Sequence, residues 1–253
     1  MIHILQAGFN YSAEEGFSYG GGYSLAIILM IVVALVGVFV QMRLKSVTRR
    51  YSEQMSPRGM TGREVAEKML HDHGIYNVKV THVAGHLTDH FNPQTLTVNL
   101  SDDVYNARTI TAAAVAAHEC GHAVQHATGY EPVRLRTQMV PAVNFSSKVA
   151  GWLMLLGVVT MAVTNSATLC WVAIAVMGIS TIFALVTLPV EYNASERAVA
   201  WLESSDMLSD ADLDGAHEAL RWAARTYLVT ALSSIVTLLY YIALINRRRL
   251  PKF

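Results

Sequence analysis

Four long apolar runs, almost free of charge, constrain this chain of 253 residues more than any other feature. The first, Tyr23 to Met42, contains no Asp, Glu, Lys or Arg. At about 1.5 Å of rise per residue, a helix of that length crosses the roughly 30 Å hydrocarbon layer of a bilayer. A signal peptide would carry basic residues ahead of its apolar core, whereas the first basic residue here, Arg43, follows the run. The second run, Val149 to Thr164, and the third, Leu169 to Leu188, are joined by the uncharged link Asn165 to Thr168 and predict a transmembrane hairpin. The fourth, Tyr227 to Ile245, is also long enough to span. Such a chain is expected to be a mainly α, multi-pass membrane protein whose spans form a four-helix bundle.

Charge placement gives an expected orientation. Arg43, Lys45, Arg49 and Arg50 follow the first run while Glu14 and Glu15 precede it, so the positive-inside rule sends the chain into the cytoplasm after this helix. Arg134, Arg136 and Lys148 before the hairpin, and Arg197 after it, put both its ends on the same side. The last run breaks the pattern, because four passes would carry Arg247, Arg248, Arg249 and Lys252 outward. Either the last helix is interfacial or its topology is frustrated. Nineteen basic and nineteen acidic side chains cancel, which excludes a polybasic nucleic-acid binder, and 53% hydrophobic residues exclude a disordered chain. Two cysteines, Cys120 and Cys170, cannot build a disulfide framework.

The expected organisation is an N-terminal segment (1–22), a first span (23–42), a polar domain (43–148), the hairpin (149–188), a second polar stretch (189–226), a last span (227–245) and a basic tail (246–253). In the first polar domain Thr61-Gly-Arg-Glu64 has the capping-box pattern, with Val65, Ala66, Met69 and Leu70 at helical spacing and Gly74 as the stop. Val78 to Val83 and Thr95 to Leu100 alternate like strands and predict a short β-hairpin. Ser101, Asp102 and Asp103 read as a helix start leading toward the Ala-rich run Thr111 to Thr128, which Gly129 ends.

That run carries His118-Glu119-Cys120-Gly121-His122, the H-E-x-x-H pattern. Residues four apart on a helix differ by about 40° and 6 Å, so both imidazoles can hold one Zn²⁺ at about 2.0–2.1 Å. Glu119 stays within reach of a zinc-bound water and suits a general base. The flanking Ala112 to Ala117 implies a buried helix, whose polar side chains need partners to offset desolvation. Catalytic zinc usually has three protein ligands and a water, so a carboxylate must arrive from elsewhere. Glu191 and Glu196 are the candidates, and at about 140° apart round a helix only one can face the metal. Glu191 shares its face with Ala194 and Ala198, which permit close helix approach, and Pro189 just before it would kink the helix or begin a new one.

With these residues in view the chain resembles the YugP-type family of membrane zinc metallopeptidases. The likeness lies in Leu87-Thr-Asp-His90 to Asn92-Pro93, in Thr97-Val-Asn-Leu-Ser101, in Ala116 to His126, and in Leu188-Pro-Val-Glu-Tyr-Asn-Ala-Ser-Glu-Arg-Ala198. It runs from about Gly22 to the last helix. That family is distantly similar to the HtpX and CAAX-prenyl membrane proteases, whose Glu-x-x-Ala-Asp pattern supplies the third ligand, and this falls on Glu191. Ser195 stands where those proteases have Asp. The resemblance implies a bacterial cell-membrane protease with a small zincin-like cytoplasmic domain, one Zn²⁺ per chain, and peptides or membrane proteins as substrates.

Some residues are open to more than one reading. His126, a further turn beyond His122, points to the edge of the metal face and suits either a substrate or second-layer contact or an ordinary helix end. His82, His86 and His90 would share a helix face, but Gly85 and Pro93 argue against a helix there, and Asp89 with His90 reads as a loop feature supporting the fold. A substrate strand could pair beside Thr95 to Leu100, around Val98. Two rivals to hydrolysis at the membrane surface are an intramembrane site-2-type protease using Leu213-Asp214-Gly215, and a non-enzymatic zinc-binding scaffold.

Overall fold

The computed structural model describes residues 2–248; the side chains up to residue 21 and the basic tail from residue 248 lie outside the described side chains. Among the described residues, six helices and three strands follow in order: α1 (Ile2–Ser52), α2 (Gly62–Asp72), β1 (Lys79–His82), β2 (His90–Asn92), β3 (Thr97–Leu100), α3 (Ile110–Ala127), α4 (Glu131–Thr164), α5 (Thr168–Ser204) and α6 (Asp210–Arg248). The protein is mainly helical. Among the described residues, four helices are long and apolar enough to cross a membrane: Gly22–Ser52, Glu131–Thr164, Thr168–Ser204 and Asp210–Arg247. Each contains one of the four apolar runs. The polar sequences beyond those runs continue the same helices, and α5 passes through Pro189 without a break.

The residues fall into two compact units. One comprises Val38–Gln138 and Leu185–Leu228. Its core gathers Val65, Ala66, Met69 and Leu70 of α2, Val98 and Leu100 of β3, the alanines of α3, and Ala198, Trp201 and Leu202 of α5. The capping box at Thr61 forms, with the Thr61 side chain accepting from the Glu64 backbone and the Glu64 carboxylate accepting from the Thr61 N–H at 2.7 Å. Gly74 ends the helix at φ +68, a left-handed conformation that a Cβ disfavours. The other unit comprises Met1–Gly37, Met139–Ala184 and Val229–Phe253. Within it, Met154, Met161, Cys170, Ala173 and Ile245 pack together. Ser146 and Ser180 share a hydrogen bond at 3.0 Å. A Cβ on Gly157 would sit 2.8 Å from the Cys170 nitrogen, so glycine is what permits that close approach of α4 and α5.

Two local expectations are corrected. The segments around Val80 and Val98 do pair, but in parallel rather than as a hairpin: Val80 lies opposite Val98, and the sheet order is β1-β3-β2. Parallel pairing needs a return path, and β2 provides it, running antiparallel to β3 with Phe91 opposite Val98. Ser101 opens a turn, accepting from the N–H groups of Val104 and Tyr105, while α3 starts later with Thr109 as its N-cap. The Thr109 hydroxyl accepts from the Ala112 N–H at 3.2 Å, supplying the cap that Asp102 and Asp103 do not.

Candidate metal centre

Helix α3 is an alanine-lined rod whose inner face is fully buried, and His118, Glu119 and His122 project from it. Helix α5 crosses it closely enough that a Cβ on Gly121 would lie 2.5 Å from the Ala194 carbonyl oxygen. Ala194 and Ala198 are fully buried along this approach, as the small-residue face beside Glu191 requires. The consequence is that Glu191 Oε2 lies 3.3 Å from His118 Nε2 and 3.4 Å from His122 Nε2. The two imidazoles stand edge to face, with centroids 4.8 Å apart. Among the described residues His118, His122 and Glu191 are the one group of three or more His, Cys, Asp or Glu side chains whose ligand atoms converge, all within 4.8 Å of one another. Glu196 is not part of it.

These residues fit a zinc ion. Donors placed at about 2.0–2.1 Å around a tetrahedral centre lie roughly 3.3–3.4 Å from each other, the spacing seen between the carboxylate oxygen and both ring nitrogens. Glu191 is 2% exposed, and its Oε2 has no hydrogen bond of acceptable geometry. A buried carboxylate oxygen in that position calls for a cation. Two imidazole nitrogens and one carboxylate oxygen are donors that zinc accepts readily.

Both rings are held from behind. The Ser195 hydroxyl lies 3.1 Å from His118 Nδ1 and so contacts a histidine of the cluster. Gln125, fully buried, places its side-chain oxygen 3.0 Å from His122 Nδ1, and its nitrogen donates to the Val190 carbonyl at 2.8 Å and to Asn193 Oδ1 at 3.0 Å. Burial opposes a charged His122, but the neighbouring Glu191 and Glu119 carboxylates outweigh it and raise its pKa above the ordinary imidazole value.

A cleft opens beside the cluster, lined by Asp89, His90, Phe91 and Pro93 around β2, by His118, Glu119 and His122, by Val133, Arg136 and Thr137 of α4, and by Glu191 and Tyr227. Glu119 Oε2 accepts from the Phe91 N–H at 3.0 Å, which ties α3 to β2. Arg136 brings its guanidinium to 3.7 Å from Glu191 Oε1, and Tyr227 lines the cleft together with Glu191.

The other expected residues are placed elsewhere. His126 is exposed, its ring 5.7 Å from that of Phe91 and outside the cleft, and the position behind His122 belongs to Gln125. Val98 is fully buried on the central strand, paired on both sides, so no incoming strand can add beside it. His82 and His86 pair with Asp102 and Asp103, each at 2.6 Å, and form no metal cluster with His90. Asp89 supports the loop, accepting from the Ser101 N–H at 2.7 Å and the Ser101 hydroxyl at 2.9 Å. Sequence reasoning missed Gln125, Arg136 and Tyr227. Gln125 stands three residues beyond His122, a spacing that returns a side chain to the same helix face and could have marked it.

The family described as "Putative neutral zinc metallopeptidase" matches residues 26–246. "Putative membrane protease YugP" of Bacillus subtilis (strain 168) is 38% identical over 218 residues, which cover 86% of this chain and 95% of that protein. No solved structure matches the chain. A match spanning all four apolar helices and every residue of the His118, His122 and Glu191 cluster shows the family: the chain belongs to the one described as "Putative neutral zinc metallopeptidase".

Proposed function

We propose that the protein is a membrane-embedded zinc metalloendopeptidase whose cleft faces the cytoplasmic membrane surface. The observation that carries this reading is the spacing of Glu191 Oε2 from both histidine nitrogens, at 3.3 and 3.4 Å, beside an open cleft that also holds Glu119. Zinc held by His118, His122 and Glu191 would supply a Lewis acid that acidifies a water and polarises the scissile carbonyl. Glu119 takes the water proton and later passes it to the leaving nitrogen. Arg136 and Tyr227, reaching the cleft from α4 and α6, are donors for negative charge developing on the carbonyl oxygen.

The substrate lies extended along β2. That strand is an edge of the sheet, and its Phe91 N–H points at Glu119 rather than at β3. A substrate carbonyl replaces Glu119 as acceptor of this N–H and frees the carboxylate for proton transfer, with backbone pairing giving affinity and little sequence selectivity. The basic residues Arg43, Lys45, Arg49 and Arg50 support a cytoplasmic cleft, and nearness to the bilayer suits membrane proteins or their tails. An intramembrane site-2-type arrangement is disfavoured because α3 is not among the helices long and apolar enough to span.

Glu119→Gln tests the reading. The variant should keep one zinc per chain while hydrolysis of a broad peptide library falls by about 10²–10⁴-fold. Persistent hydrolysis in the variant, or zinc-loaded wild type that cleaves nothing, would leave a metal scaffold in place of an enzyme.

A further inference from the structure

We propose that Arg43, Trp222 and Arg225 form a binding site for the phosphate group of an anionic phospholipid. Arg43 is the first charged residue after the apolar run ending at Met42, and Arg225 is the last before the run beginning at Tyr227. The two run ends meet at one level, where the Phe39 ring packs edge-on against Trp222 with centroids 5.9 Å apart. Both guanidinium groups lie against that same indole, Arg43 at 5.5 Å from the ring centroid and Arg225 at 4.1 Å.

Their charge is poorly compensated. Glu218 reaches Arg43 only at 4.0 Å, and its other oxygen already accepts from the Tyr51 hydroxyl at 3.1 Å. Among the described residues, no carboxylate lies within ion-pair distance of Arg225. Two cations held on one ring therefore leave net positive charge, and the Arg43 side chain is 49% exposed. Guanidinium forks match phosphate oxygens, and an indole at the end of a span sits at the depth of the headgroups.

What favours a lipid over free phosphate is the apolar shoulder beside each arginine. Phe39, one turn from Arg43 toward the apolar run, is 52% exposed, and Leu228, one turn from Arg225 in the same sense, is 39% exposed. A phosphate between the arginines would leave acyl chains against these side chains. Elsewhere on α1, Arg49 is already paired with Glu53 at 3.5 Å.

The full chain, reconstituted in mixed phosphatidylcholine and phosphatidylglycerol bilayers and re-extracted in a neutral detergent, should retain phosphatidylglycerol preferentially. R43Q/R225Q should lower that retention about tenfold or more, whereas K45Q/R49Q, with the same loss of charge, should leave it unchanged. Excess inorganic phosphate should not displace the lipid. Equal retention by the two double variants, or displacement by inorganic phosphate, overturns the proposal, the second by assigning the arginines to a soluble anion. Zinc content reports folding, and if R43Q/R225Q is lost, R225Q alone must still reduce retention.

Discussion

Gln125 and His122 are joined by a contact whose direction is determined. The Gln125 nitrogen faces two acceptors, the Val190 carbonyl and Asn193 Oδ1, and Arg197 Nε independently donates to that same Asn193 oxygen at 2.8 Å. Gln125 must therefore present its oxygen to His122, at 3.0 Å, and Nδ1 must carry the hydrogen. Nε2 is then the nitrogen turned toward Glu191 and, once it gives up its proton, the one that would offer a lone pair to a metal held between them. Gln125→Leu should weaken zinc binding by about 10–100-fold in a chelator competition, with partial rescue by Gln125→Glu, which still accepts from Nδ1. Unchanged affinity in the leucine variant would show that Gln125 merely fills space.

Gly121 fixes the distance between the histidine pair and Glu191. A Cβ there would meet the Ala194 carbonyl oxygen at 2.5 Å and its carbonyl carbon at 3.1 Å, both backbone atoms that cannot swing aside. Gly121→Ala must push α3 and α5 apart. It should cost about 1–3 kcal/mol of stability and lower zinc occupancy. Gly151→Ala, in a helix with nothing within 4 Å of its Cβ position, is the control and should be neutral or slightly stabilising. Melting midpoints and metal content compare the two, and full zinc occupancy in Gly121→Ala would refute the argument.

That Ala194 and Ala198 share the face of Glu191 was legible in the sequence, because helix periodicity is local. The same rule carries the capping box at Thr61 and Glu64, the shared face of His118 and His122, and the small residues beside Glu191. Strand pairing is not local. Val80 and Val98 alternate as a hairpin would, and nothing in that alternation reveals that His90 to Asn92 takes the return path and the second edge of β3. Charge misled at Arg136, which sequence reasoning counted only as an orientation signal though it reaches Glu191. Tyr227 lies at the start of an apolar run far from every motif, so only the helix packing brings it to the cleft.

The loop between β1 and β2 should loosen as pH rises. His86 Nδ1 meets Asp103 at 2.6 Å, and that hydrogen bond together with the Asp103 charge raises the His86 pKa. A raised pKa in the folded state contributes stability that is full below the ordinary imidazole value and is lost as pH climbs through the raised one. Asp102 behaves oppositely: the Gly85 N–H and then His82 lower its pKa, so its contribution holds above the ordinary carboxylate value and disappears on strong acidification. The loop is therefore tightest in the mildly acidic window between these transitions. Leu87, 86% exposed at its tip, is a convenient cleavage point. Limited proteolysis there should accelerate between about pH 6 and pH 9, and Asp103→Asn should flatten the dependence. Equal pH profiles for wild type and variant would remove the His86 pair as the cause.

Tyr227 offers the sharpest test of how the cleft divides its labour. It lines the same cleft as Glu119 and Glu191, so its hydroxyl can either steady the carboxylate or donate to the reacting carbonyl oxygen. Arg136 already approaches Glu191 Oε1 at 3.7 Å, and the close crossing at Gly121 holds the helix that carries it. The carboxylate is thus positioned without the phenol, which favours the second role. Tyr227→Phe should leave zinc affinity unchanged and lower kcat by about 10²-fold, with little effect on KM, because a donor used mainly in the transition state has little influence on substrate binding. If zinc affinity falls instead and kcat of the fully loaded variant is normal, the hydroxyl belongs to the ligand and the charge on the carbonyl oxygen must be met by Arg136 alone.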